Sequence, residues 1–312
     1  MTTAFLTHSD CLQHVTPDGH PERVDRLMAI YAAVDTIDHA GLLRVEAPLG
    51  SADDILRVHP RSHLDAIEQA IPSSGSVALD ADTHVSPGSL RAALRGVGAM
   101  TKAIDMVLDE EVQNAFAAVR PPGHHAETST PMGFCLFGNI AIGAKYALDV
   151  HGLKRVALVD FDVHHGNGTQ DLLWNEPRVL FASSHQMPLY PGSGYANETG
   201  ASDNVLNVPL DAGADGRAFR QAYERTIFPA LEDFAPELIL ISAGFDAHAR
   251  DPLANLMLTE ADFAWVTEKL CDIADTHAKG RIVSTLEGGY DLDALAASTK
   301  AHLEVLLERG AT

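Results

Sequence analysis

Short apolar runs that end in polar residues recur along this chain, with amphipathic stretches between them. The clearest runs are 115–119, 156–160, 179–183, 238–242 and 282–286. Continuous apolar runs of this length are typical of parallel strands buried on both faces, and alternation with helices is typical of a sheet with crossover connections. No linker rich in Pro, Gly or Ser divides the 312 residues. The pattern therefore predicts a single α/β domain over residues 1–312.

Two of the predicted helices have recognisable ends. Ser86 and Pro87 suit the N-cap and first turn of a helix whose apolar stripe continues to residue 108. Thr259 and Asp262 resemble a capping box at the start of a second helix. His277 lies on the apolar stripe of that second helix, so we expect it to be a packed side chain and not a ligand.

Charge and composition exclude several classes of function. The formal net charge is −21 and no basic stripe is present, which argues against direct binding to nucleic acid. No apolar run approaches the length of a membrane span and no secretion signal is visible, so we expect a cytoplasmic protein that does not enter a membrane. Because Cys11, Cys135 and Cys271 are far apart, any metal should take oxygen and nitrogen ligands.

The segment 160–168 contains a pair of residues suited to metal binding. Asp162 and His164 are two residues apart where a strand ends, and side chains at i and i+2 of an extended strand project to the same face. Asp246 follows the run 238–242 and could supply a third ligand. Two carboxylates and one imidazole are typical of a catalytic zinc site or a similar divalent site. An isolated Asp-x-His pair is more often a loop or a helix cap, so the interpretation depends on the other segments.

Reactive side chains also follow other predicted strands. The adjacent His124 and His125 follow the run 115–119 and could flank a reacting centre as proton acceptor and electrostatic partner. Tyr290 follows paired glycines, which allow a bend that would bring its hydroxyl over the sheet edge as a hydrogen-bond donor. The loop that includes residues 183–192 carries apolar and aromatic side chains that could form the wall of a pocket.

Together these segments resemble the zinc-dependent histone deacetylase family in order and approximate spacing. The matching motifs are Arg-Pro-Pro-Gly-His-His at 120–125, Gly-Phe-Cys at 133–135, Asp-x-Asp-x-His-His-Gly-Asn-Gly at 160–168, Ala-Gly-Phe-Asp at 243–246 and Glu-Gly-Gly-Tyr-Asp-Leu at 287–292. The residues within these motifs resemble those of the class II and bacterial branch, which is related to the acetylpolyamine amidohydrolases. The resemblance implies an arginase/deacetylase-like α/β fold, with a central, mostly parallel eight-stranded sheet and helices on both faces.

The resemblance implies two metal sites. Asp162, His164 and Asp246 would hold Zn²⁺, although Fe²⁺ or Co²⁺ would also suit these donors. Metal-activated water would then attack the carbonyl carbon of an N-acylated amine. A structural K⁺ would be held largely by main-chain carbonyls, at Asp160, Asp162, His164, Ser183 and Ser184.

The catalytic residues implied by the resemblance are His124, His125, Asp160, Asn167 and Tyr290. His125 would act as general base and then as acid to the departing amine. It would be paired with Asn167, where class I relatives have an aspartate, so its ring should be less basic than theirs. His124 would stabilise charge through Asp160. The Tyr290 hydroxyl would donate to the substrate oxygen as negative charge develops there.

The substrate-binding residues implied by the resemblance are Gly133, Phe134, Tyr190, Leu253 and Gly288. Phe134 and Tyr190 match the aromatic pair that encloses the methylene stem of the substrate. Leu253 lies at a gate position where a eukaryotic polyamine deacetylase has a glutamate, which favours acyl-lysine over acetylpolyamine as the substrate. An acidic residue could still come from Asp80 or Asp82, so the polyamine alternative stays open.

Two further alternatives remain at this point. A non-catalytic protein that binds metal or acyl-lysine would not need His124, His125 and Tyr290, so their presence favours an enzyme. A binuclear arginase-like hydrolase would need further aspartates, and the sequence has one strong Asp-x-His pair. One departure from the family pattern is Gly138, since relatives usually have Asn or Asp before the asparagine that follows. Relatives form dimers and tetramers, so the resemblance leaves a homo-oligomer open.

Overall fold

The computed structural model describes residues 2–310, which fold around an eight-stranded sheet. The strand order is β2-β1-β5-β10-β9-β6-β7-β8, and every neighbouring pair is parallel. The strands are β1 (Thr3–Thr7), β2 (Leu42–Glu46), β5 (Asn114–Ala117), β6 (Val156–Asp160), β7 (Val179–Gln186), β8 (Val205–Leu210), β9 (Leu238–Ala243) and β10 (Ile282–Leu286), with a separate antiparallel pair formed by β3 (Val77–Ala78) and β4 (His84–Val85). The predicted α/β architecture is confirmed.

The five runs predicted from the sequence form the five adjacent middle strands of this sheet, β5, β10, β9, β6 and β7. The strands that sequence reasoning missed lie toward the two ends, where the pattern is less apolar. β2 is largely exposed, and β8 alternates buried and exposed positions and carries Pro209. Proline is tolerated on such an edge strand because one side of the strand needs no ladder hydrogen bonds.

Helices cover both faces of the sheet, with α10 packed against α1 and α9, and α4 packed on α5. The helices are α1 (Asp25–Val34), α2 (Ala52–Ile55), α3 (Arg61–Ala70), α4 (Ser89–Leu108), α5 (Asn139–Asp149), α6 (Asn167–Leu173), α7 (Gly216–Ala222), α8 (Phe228–Phe234), α9 (Glu260–His277) and α10 (Leu292–Gly310). Within residues 2–310, none of these helices has both the length and the apolar character required to cross a membrane.

The helix ends agree with the sequence in part. The capping box of α9 is confirmed, with the Thr259 N–H donating to the Asp262 carboxylate at 2.9 Å. Helix α4 begins at Ser89 and not at Pro87, because the Ser86 N–H donates to the Ser89 hydroxyl at 2.7 Å and Gly88 takes the cap position. His277 packs against the neighbouring helix with 22% of its side chain exposed, and its Nε2 lies 2.5 Å from a carboxylate oxygen of Glu232 on α8.

A buried histidine connects α9, α10 and the sheet. His302 of α10 has Nδ1 2.7 Å from the Thr267 hydroxyl on α9 and Nε2 2.8 Å from the Ser284 hydroxyl on β10. Burial lowers the pKa of His302 from 6.5 to about 3. The ring is therefore neutral in the folded protein near neutral pH, and it links three elements through hydrogen bonds within the core.

Candidate metal centre and active site

The candidate site lies at the carboxyl edge of the sheet, where the loops after β5, β6, β9 and β10 meet. In parallel sheets the carboxyl ends of the strands share one edge, which is the usual location of ligand sites. β6 is hydrogen-bonded to β9, with Asp160 opposite Ser242. The loop that carries Asp162 and His164 therefore lies beside the loop that carries Asp246.

Asp162, His164 and Asp246 form a compact group of buried metal-ligating side chains. One ligand atom from each residue lies within 4.8 Å of the others. The Nδ1 atom of His164 lies 3.1 Å from Oδ1 of Asp162 and 3.1 Å from Oδ2 of Asp246. Burial raises the pKa of Asp246, and the charge of Asp162 raises it further. A cation between the two buried carboxylates and the imidazole would offset the cost of burying their negative charges. This donor set therefore fits a divalent metal.

The local backbone differs from the extended strand assumed in the sequence argument. β6 ends at Asp160, and residues 161–165 form a bend. The Asp162 carboxylate accepts the N–H of His164 at 2.9 Å, and the Asp160 carboxylate accepts the N–H of Asp162 at 3.0 Å. The two ligand side chains thus converge through aspartate-to-backbone hydrogen bonds and not through strand alternation.

Gly288 packs directly against the carboxylates of Asp162 and Asp246. Its N–H donates to Oδ2 of Asp162 at 2.8 Å. A Cβ at this position would lie 2.0 Å from Oδ2 of Asp246 and 2.6 Å from Oδ2 of Asp162. Only a glycine allows this close approach. The resemblance grouped Gly288 with the substrate-binding residues, whereas its contacts in the structure are with these two carboxylates.

His124 lies between carboxylates. Its Nδ1 is 3.0 Å from Oδ2 of Asp160, and its Nε2 is 3.8 Å from Oδ2 of Asp162. Burial opposes a charge on this ring, but the carboxylates of Asp162 and Asp160 outweigh it and raise the pKa of His124 well above 6.5. The Glu287 carboxylate accepts the backbone N–H groups of Gly123 and His124 at 2.7 and 3.1 Å, which holds the histidine turn at the end of β10.

His125 lies in a different environment from its neighbour. Its Nδ1 is 2.7 Å from Oδ1 of Asn167, the first residue of α6. Burial lowers the pKa of His125 well below 6.5, and the neighbouring His124 and His164 rings act in the same direction. Gly133 lies against the ring, since a Cβ there would be 2.4 Å from its Cδ2 atom. His125 is therefore a neutral imidazole held from two sides.

Tyr290 is positioned by two charged residues that the sequence reasoning did not identify. The Arg26 side chain donates to the carbonyl oxygens of Gly289 and Glu287, both at 2.6 Å, and its guanidinium lies 4.8 Å from the centre of the Tyr290 ring. The Asp251 carboxylate accepts the backbone N–H of Tyr290 at 2.7 Å. Burial raises the pKa of Tyr290 well above 10, and Arg26 offsets this only in part, so the hydroxyl keeps its proton.

A cavity of about 360 Å³ leads to the metal group. Four of the implied substrate residues line it, namely Gly133, Phe134, Tyr190 and Leu253. The remaining lining residues are His20, Pro21, Ala81, Asp82, His84, His125, His164, Leu189 and Tyr290. The Tyr190 ring lies 5.2 Å from the His125 ring, and the Phe134 ring lies 5.9 Å from the Tyr290 ring. The cavity is thus aromatic along its sides and polar at its floor.

The residues of the implied potassium site are buried beside the metal group. Asp160 of β6 is opposite Ser183 of β7 in the sheet register. The Ser183 and Ser184 hydroxyls already have protein partners, at 2.9 Å from His185 Nδ1 and 3.0 Å from the Tyr223 hydroxyl. A cation here would therefore depend mainly on main-chain carbonyl oxygens.

Several residues at the site were missed because their roles depend on contacts between distant loops. They are Glu22, Arg26, Glu127, Asp251 and Glu287. Arg120 of the quoted Arg-Pro-Pro-Gly motif pairs with Glu22, and Glu22 also pairs with Arg26 at 3.1 Å. Only Glu287 gave a signal in the sequence, as a charged residue directly after a predicted strand, and no spacing rule indicates the partners of the others.

Comparisons with known proteins agree with this architecture. A family profile described as "Histone deacetylase domain" matches residues 20–306. The chain is 40% identical to the "Histone deacetylase-like amidohydrolase" of Pseudomonas aeruginosa, over 87% of this chain and 73% of that protein. It is 37% identical to a "Probable deacetylase" of Archaeoglobus fulgidus, over 94% and 82% of the two chains. The crystal structure of the HDA15 HD domain superposes with a TM-score of 0.93 at 34% identity, covering 99% of this chain and 90% of that one.

Proposed function

The chain belongs to the histone deacetylase family, and from this premise we propose that it is a zinc-dependent deacetylase that removes acetyl or other acyl groups from acylated lysine. Two of these relatives are named as a histone deacetylase-like amidohydrolase and a probable deacetylase, which supports the proposal. The observation that carries the proposal is the buried group of Asp162, His164 and Asp246, which reaches an aromatic-lined cavity through His164. Such a cavity suits a flexible apolar stem that ends in a polar amide.

The metal would be held by the two carboxylates and the imidazole. A bound divalent ion would polarise the substrate carbonyl and increase the acidity of water at the site. Zn²⁺ is the proposed ion because oxygen and nitrogen donors in this number are typical of its catalytic sites, while Fe²⁺ and Co²⁺ accept the same donors.

His125 is the proposed general base. Its Nδ1 is engaged by Asn167, which leaves Nε2 to take a proton from the attacking water and to return one to the departing amine. His124 is the proposed electrostatic partner, because its pKa is raised by Asp162 and Asp160 and the ring carries positive charge. The two adjacent rings thus have different protonation states and can have different roles.

Tyr290 is the proposed donor to the substrate oxygen. Its pKa is raised by burial, so the hydroxyl remains protonated at neutral pH and can stabilise developing negative charge. Arg26 and Asp251 hold the C=O and the N–H of the peptide bond between Gly289 and Tyr290, which restricts where the Tyr290 hydroxyl can lie.

Acyl-lysine is the proposed substrate class because Phe134 and Tyr190 line the cavity and Leu253 supplies no charge at its mouth. Acetylpolyamine is the alternative, supported by Asp82, which also lines the cavity. A panel of acetyl-lysine peptides, acetylputrescine and acetylspermidine distinguishes them. A strong preference for the polyamines would overturn the acyl-lysine assignment.

The central experiment combines metal analysis with a fluorogenic acetyl-lysine assay on wild type and His125→Ala. We expect about one zinc per chain in both proteins, and activity reduced by roughly 10²–10⁴-fold in the variant. Equal activity would refute the assignment of His125 as base. Bound metal with no turnover of any acylated amine would favour the alternative of a non-catalytic binding protein.

Three further proposals accompany this function. Residues 1–312 form one catalytic domain, which is supported by the family match over residues 20–306. A structural K⁺ is bound near Asp160 and Ser183, which is testable by comparing activity in KCl and NaCl. A cytoplasmic location stays a prediction from the composition.

A further inference from the structure

The Asn167 amide lies between His125 and the carboxylate of Glu127. Its Oδ1 is 2.7 Å from Nδ1 of His125, and its Nδ2 donates to Oε1 of Glu127 at 2.7 Å. The two ends of an amide differ chemically, because the oxygen only accepts hydrogen bonds and the nitrogen only donates them. An ionised carboxylate only accepts. Glu127 therefore determines which end of the amide faces His125.

The position of Glu127 is itself well defined. The next residue, Thr128, donates from its N–H and its hydroxyl to the Asp171 carboxylate at 2.8 and 2.6 Å. Asp171 and Asn167 are four residues apart on α6 and so lie on the same face of the helix. A turn bond from the Glu127 N–H to the Thr130 carbonyl, at 3.0 Å, holds the other side of the loop.

We propose that Glu127 is a positioning residue that acts through Asn167 to keep Nδ1 of His125 protonated and its Nε2 free to accept a proton. The proposal rests on the function assigned to His125 above. With Nδ2 of Asn167 committed to the carboxylate, Oδ1 must face the ring, and an oxygen there requires an N–H on Nδ1. If the amide turned over, its NH₂ group would face Nδ1 and favour the tautomer with the proton on Nε2, which is inactive as a base.

The strength of the effect follows from the type of hydrogen bond. A bond to an ionised acceptor is roughly twice as strong as one between neutral groups. Met132 Sδ, at 3.3 Å, is the other acceptor near Nδ2 and is a weak one. Glu127 does not line the substrate cavity. Its removal should therefore lower kcat and leave KM nearly unchanged.

The first test compares Glu127→Ala with Thr128→Ala on the zinc-loaded enzyme. The Thr128 variant loosens the same loop and leaves the carboxylate in place, so it is a matched control. We expect kcat to fall by about 10-fold in Glu127→Ala, the scale of one lost charge-assisted hydrogen bond. KM should change less than about 2-fold, because uniform substrate binding is not affected. Equal losses of kcat in the two variants would mean that Glu127 only stabilises the loop, and would overturn the proposal.

In the second test, the same substitution at Glu127 is expected to change kcat in opposite directions in two backgrounds. In Asn167→Asp, the Glu127 carboxylate faces another carboxylate and no longer orients an amide. We expect Glu127→Gln to lower kcat by about 3-fold with Asn167 present, where a neutral acceptor replaces a charged one. In the Asn167→Asp background the same substitution removes a like-charge repulsion and should raise kcat. A fall of equal size in both backgrounds would contradict orientation through the amide.

A measurement that does not depend on turnover separates this inference from the proposed function. In ¹⁵N spectra of histidine-labelled protein, with signals assigned by their loss in His125→Gln, Nδ1 should be protonated in wild type. Protonation of Nε2 should increase in Glu127→Ala. An unchanged tautomer in Glu127→Ala would overturn the inference even if the enzyme is a deacetylase. Conversely, wild-type protein inactive toward all acylated amines would refute the proposed function, while the tautomer change would still support the positioning by Glu127.

Discussion

The strongest prediction concerns Gly288, the residue packed against both carboxylates of the metal group. Gly288→Ala adds a single methyl group where a Cβ would lie 2.0 Å from Asp246 Oδ2 and 2.6 Å from Asp162 Oδ2. No other atom is among its three nearest neighbours except the carboxylate carbon of Asp246, at 2.7 Å. The methyl group therefore acts on the ligand pair directly.

The size of the effect follows from these distances. Ordinary contact requires about 3.5 Å, so the Asp246 oxygen would have to retreat by roughly 1.5 Å. Metal–ligand distances tolerate deviations of only about 0.2 Å. The backbone of Gly288 also donates to Asp162 Oδ2 at 2.8 Å, which limits movement of the main chain away from the site. We expect metal affinity to fall by about 10-fold to 100-fold, the range seen when a residue that orients a metal ligand is mutated.

The assay is competition for Zn²⁺ with a chelator of known affinity, together with deacetylase activity at saturating metal. Gly152→Ala is the control, because its φ of +70° makes an alanine strained there while a Cβ meets no atom within 4 Å. It should therefore lower stability without lowering zinc affinity. Overpacking should also lower the free energy of unfolding of Gly288→Ala by about 1–3 kcal/mol. Wild-type zinc affinity in a folded Gly288→Ala protein would refute the idea that these carboxylates hold the metal.

The remaining predictions concern the metal, the cavity mouth and the core. Chelation should abolish activity and lower the melting temperature, because Asp162 and Asp246 lose their shared counter-ion, and added Zn²⁺ should restore both. Leu253→Glu should raise kcat/KM for acetylspermidine relative to an acetyl-lysine peptide by up to about 5-fold, the scale of an exposed ion pair, and a fall in this ratio would contradict the gate assignment. For His302 the folded-state pKa of about 3 lies below the unfolded value of 6.5, so the unfolded chain binds the proton first and stability decreases as pH falls through this interval. His302→Leu should lower the free energy of unfolding at pH 7 by about 1–3 kcal/mol, because two buried hydroxyls lose their partner. Below pH 6.5 the free energy of unfolding should fall less steeply in the variant than in wild type, by up to about 1.4 kcal/mol per pH unit. Urea unfolding at pH 7, 6 and 5 measures both effects, and parallel pH profiles of the two proteins would contradict the prediction.

The sequence predicted the middle of the sheet and missed its ends for a physical reason. β6 and β10 have the predicted bounds because strands buried on both faces are mostly apolar, and the polar Ser284 of β10 has a buried partner in His302. β2 and β8 are edge strands in which exposed positions interrupt the apolar run, so their pattern does not differ from that of a loop. β1 is buried over four of its five residues, but threonine at both ends leaves an apolar run of only three residues, Ala4 to Leu6, which is too short to distinguish from a loop.

The convergence of Asp162, His164 and Asp246 was predicted from the sequence, while the contacts that bring these side chains together were not. The spacing of Asp162 and His164 was informative, yet the chain bends there through side-chain hydrogen bonds to backbone N–H groups. Proximity of Asp246 depends on β6 pairing with β9, strands more than 70 residues apart in sequence. Residues such as Glu127 and Asp251 contact the site across loops, and no local pattern contains that information.

The number of buried acids at the site explains why a neutral asparagine at position 167 is favourable. Asp160, Asp162, Asp246 and Glu287 are all buried acids, and burial raises the pKa of Glu287 to about 7. A further aspartate at position 167 would add another buried negative charge to this group. The chain instead has a neutral amide there, and the carboxylate lies one hydrogen bond farther out, on the half-buried Glu127. His125 can thus be oriented by a carboxylate without another buried acid competing for the single divalent cation.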